Sequence, residues 1–154
     1  MDHVAILRKS NIKKSDNLFL DIMQKKKTIE SRWYVNKIAP WNNISAGDKV
    51  YLKESGEKVK GVATVSKVKQ YENLNYSTVT EIIEKYGKQI APHTSKDEFY
   101  NWAKSKEFKR YCILIFLENP MLIKEFEINK KGFGISSAWL CVGDINKVKI
   151  NEEF

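Results

Sequence analysis

The hexapeptide Lys27-Thr28-Ile29-Glu30-Ser31-Arg32, running on into Trp33, decides how the rest of the chain is read. Its β-branched residues favour a strand, and strand side chains alternate between faces. Thr28, Glu30 and Arg32 therefore share one side, with Ile29 and Ser31 on the other. Ile29 can anchor a core, while Glu30 and Arg32 stand side by side over a cleft. A carboxylate beside a guanidinium holds the arginine's fork in place for a phosphate or a base edge. Lys27, at the strand's start, adds a phosphate contact. On an open surface the same pair would be an ion pair of little energetic weight, so the neighbouring elements decide its meaning.

Upstream, Val4-Ala5-Ile6-Leu7 reads as a strand, and Ser15 and Asp16 can cap a helix carrying Leu18, Phe19, Ile22 and Met23 on one face. Lys25-Lys26-Lys27 suits the negative end of that helix. Downstream, Tyr34 to Ala46 is a long connection without a clear period, and a loop of that length is often functional. Gly47-Asp48 turns into a strand over Lys49 to Lys53, and Glu54 to Lys58 is a hairpin turn around Gly56. Val59 to Tyr71 is a long strand whose phase slips at Val68, which predicts a bulge near Ser66 or Lys67.

Two capping boxes follow. Thr78-Val79-Thr80-Glu81 predicts a helix striped by Val79, Ile82, Ile83 and Tyr86 and stopped at Gly87. Ser95-Lys96-Asp97-Glu98 predicts a second helix, with Phe99, Trp102 and Ala103 inward. Tyr111 to Leu117 is a central strand, and Pro120 is expected to turn the chain into Leu122 to Ile128. Lys130 to Ser137 is a loop, with closing strands at Ala138 to Val142 and Val148 to Ile150. Short strands interrupted by helices make an α+β protein, and the strand number fits a small barrel.

At 154 residues with 42% hydrophobic side chains, residues 1–154 are expected to form one domain with a real core. The longest purely apolar run, Cys112 to Leu117, is too short to span a bilayer, so no membrane association is expected. Cys112 and Cys141 read as reduced core thiols, which fits a cytoplasmic protein. No CxxC or HxxxH spacing supports a metal site, and no cofactor is expected. The net charge is +8 and its distribution is one-sided: residues 1–69 carry 15 basic and 7 acidic side chains, residues 70–154 carry 12 of each. A one-sided basic excess suits a polyanion, because neutralised phosphates release counterions. Lysine far outnumbers arginine, which favours phosphate contact over base-edge reading.

The hexapeptide resembles the K-x-x-E-x-R signature of ASCH domains, relatives of the PUA barrels. The preceding helix, the Gly47-Asp48-Lys49-Val50-Tyr51 strand entry, the Lys60-Gly61-Val62-Ala63-Thr64-Val65 strand, the middle helices and the strand Tyr111 to Leu117 fall in that family's order. The family usually has glycine two residues before the motif lysine, where this chain has Lys25. The resemblance implies a small PUA-like β-barrel with flanking helices and a cleft beside the motif. It also implies nucleic acid as partner, RNA in preference to DNA. One group of ASCH proteins is similar to amidohydrolases that deacetylate N4-acetylcytidine, with a threonine three positions after the lysine. Here Lys27 matches and the threonine position is Glu30.

Two main functional readings follow. In the first, a binding module, a nucleotide or base enters the cleft at Lys27, Glu30 and Arg32. Trp33, Trp41 and Trp139 then offer stacking surfaces, of which at least one is expected to meet ligand. Lys53 and Ser55, in the polar turn before Gly56, can donate to a phosphate or base. In the second, an enzyme acts on RNA or a modified nucleoside. Lys27 is then base or nucleophile, its pKa lowered by burial or neighbouring charge, and Glu30 shuttles a proton. A third reading is a module that recruits other proteins through the charge-balanced second half.

Overall fold

Alternate burial along the strands rolls them into one curled, mixed sheet. A computed structural model of the chain describes residues 1–8, 17–104, 109–134 and 136–151. The strands are β1 (Asp2–Leu7), β2 (Ile29–Tyr34), β3 (Lys49–Glu54), β4 (Val59–Tyr71), β5 (Tyr111–Ile128), β6 (Trp139–Gly143) and β7 (Lys149–Ile150). The helices are α1 (Leu18–Met23), α2 (Tyr76–Ile90) and α3 (Lys96–Lys104). The sheet runs β2-β5-β4-β3-β1-β6, with β7 on β5. β1 lies parallel to β3, and the other pairings are antiparallel. The result is a half-barrel with three helices, the α+β PUA-like architecture that the family resemblance implies.

Three apolar clusters hold it. The inner face packs Ala5, Leu7, Val50, Leu52, Val65, Ile113 and Ile115 with Phe19 and Ile22 of α1. Outside β2 and β5, Ile29, Cys112 and Leu114 pack against Ile82, Ile83 and Phe99 of α2 and α3. Outside β1 and β6, Val4, Ile6 and Leu140 meet Phe126, Ile145 and Val148. Helix α1 lies hard against β4 at Gly61: a Cβ there would stand 2.8 Å from Met23 Cε and 2.9 Å from Phe19 Cε2. Any side chain there would force the Met23 terminus and the Phe19 ring to move.

Several local expectations change. Ser15 and Asp16 lie outside the described residues, and Asn17 caps α1, accepting from the Leu20 N–H. Helix α2 starts three residues before the expected box because Asn75 accepts from the Thr78 N–H. It runs through Gly87 to Ile90, since the helix continues to bury Ile90. The Ser95 box forms as read, with Ser95 and Glu98 bonding each other's backbone N–H groups. Pro120 does not turn the chain: β5 continues through it. Thr64 pairs Glu118 and Val62 pairs Met121, so Asn119 and Pro120 bulge where a missing N–H is tolerated. The bulge expected near Ser66 is present between Val65 and Lys67.

Lys25 stands where the family carries glycine, and the turn forms all the same. Its φ is 61°, in the left-handed region. Lys25 N–H donates to Ile22 O at 3.0 Å and Lys26 N–H to Asp21 O at 2.9 Å, the two bonds that close a Schellman turn. A Cβ there is strained. We expect Lys25→Gly to stabilise the fold by about 0.5–1 kcal/mol, the left-handed penalty less glycine's extra chain entropy. A urea midpoint that stays put or falls would contradict that strain.

Candidate nucleic-acid interface

Alternation in β2 does what the hexapeptide predicts. Ile29 faces the helices, fully buried, while Glu30 and Arg32 face the inside of the half-barrel. Arg32 reaches across the opening. Its Nη1 donates to Ala138 O at 3.2 Å, just before β6, and its Nη2 to Ile6 O of β1 at 3.4 Å. β2 and β6 are the two ends of the sheet path. Arg32 therefore spans a seam that, among the described residues, no backbone ladder closes. Its guanidinium also lies over the Trp139 ring, 5.2 Å from the centroid.

Glu30 sits between two cations, with Lys27 Nζ 3.6 Å from one oxygen and Arg32 Nη2 3.6 Å from the other. Lys27 is only 3% exposed. Its Nζ donates to Ile29 O at 2.7 Å and to Ile90 O at 2.6 Å. The second is one of the last carbonyls of α2, which no helical N–H can satisfy. Burial pulls the Lys27 ammonium below lysine's ordinary range; Glu30 opposes that and Arg32 adds to it. Burial likewise raises the Tyr34 hydroxyl, next along this face, against the pull of Arg32.

Other expected residues are distributed unevenly. Lys53 is in register with Ile6 of the outer cluster, so it stands on the other face of the sheet from Glu30 and Arg32, and Ser55 N–H donates to Leu7 O at 3.0 Å. Lys53 Nζ itself donates to Glu57 O. Trp139 is 3% exposed and gives its indole N–H to His3 Nδ1 at 3.1 Å, so it is a core side chain beneath Arg32 rather than an open stacking surface. Trp33 is on the opposite face of β2. Its N–H goes to Ser31 Oγ at 3.0 Å, and it lines a pocket of about 210 Å³ with Leu74, Val79 and Tyr100. Trp41 packs edge-on against Tyr111, 5.1 Å between centroids, and joins the inner cluster. The structure thus brings Lys27, Glu30, Arg32 and Trp139 together, leaves Lys53 and Trp33 on the other face of the sheet, and packs Trp41 on the inner cluster against Tyr111.

Two pairs were not read from the sequence. Asp21, on the buried side of α1, binds His93 Nε2 at 2.9 Å through Oδ1, while its buried Oδ2 has no hydrogen-bond partner. An acid between Phe19 and Ile22 on an apolar stripe was the available signal. His3, fully buried, holds Asp48 Oδ2 at 2.8 Å by Nε2 and accepts from Trp139 at Nδ1, which fixes its tautomer. Burial lowers its pKa, partly offset by Asp48. No sequence period links residues so far apart. Both cysteines are free thiols, and Cys112 is raised well above the ordinary thiol range by burial. Among the described residues no helix is long and apolar enough to cross a membrane.

Arg32→Ala would remove both seam bridges and leave Glu30 with Lys27 alone. Breaking a buried ion pair on one side costs about 3–5 kcal/mol, so a loss of that order is expected in urea unfolding. Arg32→Lys should recover only part, because one ammonium nitrogen cannot stand in both places that Nη1 and Nη2 hold at the Ala138 and Ile6 carbonyls. A loss below about 1 kcal/mol for Arg32→Ala, within the range of an exposed ion pair, would show that the seam does not depend on it.

No family model matches the chain, and no curated protein matches it. Solved structures do. The crystal structure of ASCH from Zymomonas mobilis is 15% identical with a TM-score of 0.60, covering 90% of this chain and 85% of that one. A tyrosine-to-phenylalanine mutant of the same protein gives 14% and 0.59 over 90% and 87%. A serine-to-alanine mutant gives 15% and 0.56 over 82% and 73%. Taken with the curled mixed sheet and its three helices, these likenesses show that the chain has the ASCH fold.

Proposed function

We propose that the protein binds nucleic acid, RNA in preference to DNA, and admits a nucleotide or base to the cleft beside Lys27, Glu30 and Arg32. The supporting observation is a one-sided charge on an ASCH fold: the whole +8 excess lies in residues 1–69, which supply β1 to β3 and most of β4. Glu30, held from both sides by cations, keeps a fixed carboxylate on the inner face of the half-barrel. A fixed carboxylate accepts from an exocyclic amine, as that of cytosine. Lys53 and Ser55, at the turn after β3, would contact phosphate outside that cleft. Trp139 acts beneath Arg32, while Trp33 and Trp41 are the more accessible aromatic surfaces of the three.

Titration with short RNA and DNA oligomers at several salt concentrations tests this reading. RNA should bind more tightly than DNA, and affinity should fall steeply with salt as counterions compete for the phosphates. Absence of binding to either polymer at low salt would overturn it.

The burial of Lys27 favours a second reading, a hydrolase acting on RNA or a modified nucleoside such as N4-acetylcytidine. Lys27, its pKa lowered, would take a proton from water, whose oxygen adds to the amide carbonyl. Glu30 would relay that proton to the departing amine, leaving acetate and cytidine. Arginine stays protonated at any useful pH. Lys27→Arg, shown to be folded by thermal melting, should therefore bind nucleotide yet lose turnover of N4-acetylcytidine or short RNA followed by chromatography. Turnover that survives the change would exclude Lys27 as the base; wild type that binds without turnover leaves the binding module.

A further inference from the structure

The bulge at Ser66 has a second effect, away from the cleft. Before it, Ala63 and Val65 point into the half-barrel. After it, Val68 takes the inward place, and Lys67, Lys69 and Tyr71 turn outward beside α2. Without the extra residue, strand alternation would aim both lysines at the core. The Ser66 hydroxyl pins the bulge by donating to Phe116 O at 3.3 Å.

Three ammonium groups then gather over two aromatic rings. Lys67 Nζ lies 5.4 Å from the centroid of Phe116, and Lys69 and Lys85 each lie 5.4 Å from that of Tyr86. Lys67 and Lys69 are two residues apart on one face, roughly 6.6 Å at the usual strand rise. Three other lysines are neutralised: Lys37 pairs with Glu72, Lys60 with Glu54, and Lys96 with Glu84. Among the described residues Lys67, Lys69 and Lys85 form no salt bridge, and Glu81 of α2 is the carboxylate that acts on Lys69. The Tyr86 hydroxyl is held below its ordinary range by Lys69 and then Lys85, which marks how concentrated the positive charge is.

We propose that this face, Lys67 and Lys69 of β4 with Lys85 of α2 above Phe116 and Tyr86, is a track for the phosphodiester backbone of single-stranded RNA. The inference rests on the RNA-binding reading and adds where the backbone lies. Rings beneath the ammoniums restrain long side chains that would otherwise lose freedom on binding. A cluster of lysines without salt bridges is complementary to phosphates and carries no base preference.

The test compares wild type with Lys67→Ala/Lys69→Ala/Lys85→Ala and with a control of equal charge loss, Lys124→Ala/Lys131→Ala/Lys147→Ala, all three control lysines being exposed. Each is titrated with a short single-stranded RNA across salt, after circular dichroism confirms folding. Three lost phosphate contacts should flatten the log–log salt slope by about 2 and weaken binding at about 0.1 M salt by roughly tenfold to a hundredfold. The control should keep the wild-type slope. If wild type binds RNA and both triples lose affinity equally, or neither does, the track is wrong while the binding reading stands. If wild type binds no RNA at low salt, both fall. If the first triple keeps RNA but loses polyglutamate, the face serves an acidic protein segment and the proposal is overturned.

Discussion

The half-barrel depends on one side chain crossing a gap that backbone hydrogen bonds leave open. Arg32 reaches from β2 at one end of the sheet path to Ile6 of β1 and to Ala138 at the entry of β6. A guanidinium is suited to this because its donors fan out in a plane and its charge never titrates away. Moving such a cation out of water costs several kcal/mol unless it is paired. Glu30 supplies the pair, Lys27 balances Glu30, and the Ile90 carbonyl ties Lys27 to the end of α2. One string of charges thus joins sheet, seam and helix. A ligand that reaches Glu30 meets groups already committed to holding the fold.

How far the sequence disclosed this can be followed residue by residue. Strand alternation put Glu30 and Arg32 on one side with Ile29 opposite, and the phase slip at Val68 marked the Ser66 bulge. Those are local rules acting over a few residues. What escaped depends on partners distant in the chain. Lys27 reads as a phosphate contact or a base, while its bond to a helix-end carbonyl comes from Ile90, 63 positions away. Trp139 reads as a stacking surface until His3, 136 positions away, takes its N–H. Pro120 reads as a turn because its bulge is set by the register of β4, which the local sequence does not contain. Lys25 stands in place of a turn glycine, and yet the turn forms at positive φ, closed by backbone bonds to Ile22 O and Asp21 O.

The positive charge of the first half has two destinations. Lys27 and Arg32 are spent inside, against Glu30 and backbone carbonyls. Lys67 and Lys69 remain outside on aromatic rings. Net charge alone cannot separate these roles; burial and pairing do, because a buried cation is fixed by its acceptors and an exposed one by what it can recruit.

The placement of β1 carries a consequence for assembly. This strand lies between β3 and β6, so one flank is completed by residues about fifty positions on, and the other only by Trp139–Gly143. During synthesis β1 must wait for most of the chain before its second row of N–H and C=O groups finds a mate. Pairings of such long sequence separation fold slowly, and an apolar edge left open in the interval is a template for strands of other molecules. The same late strand brings the Ala138 carbonyl to Arg32, so the barrel's seam and its most exposed folding hazard are closed in a single step.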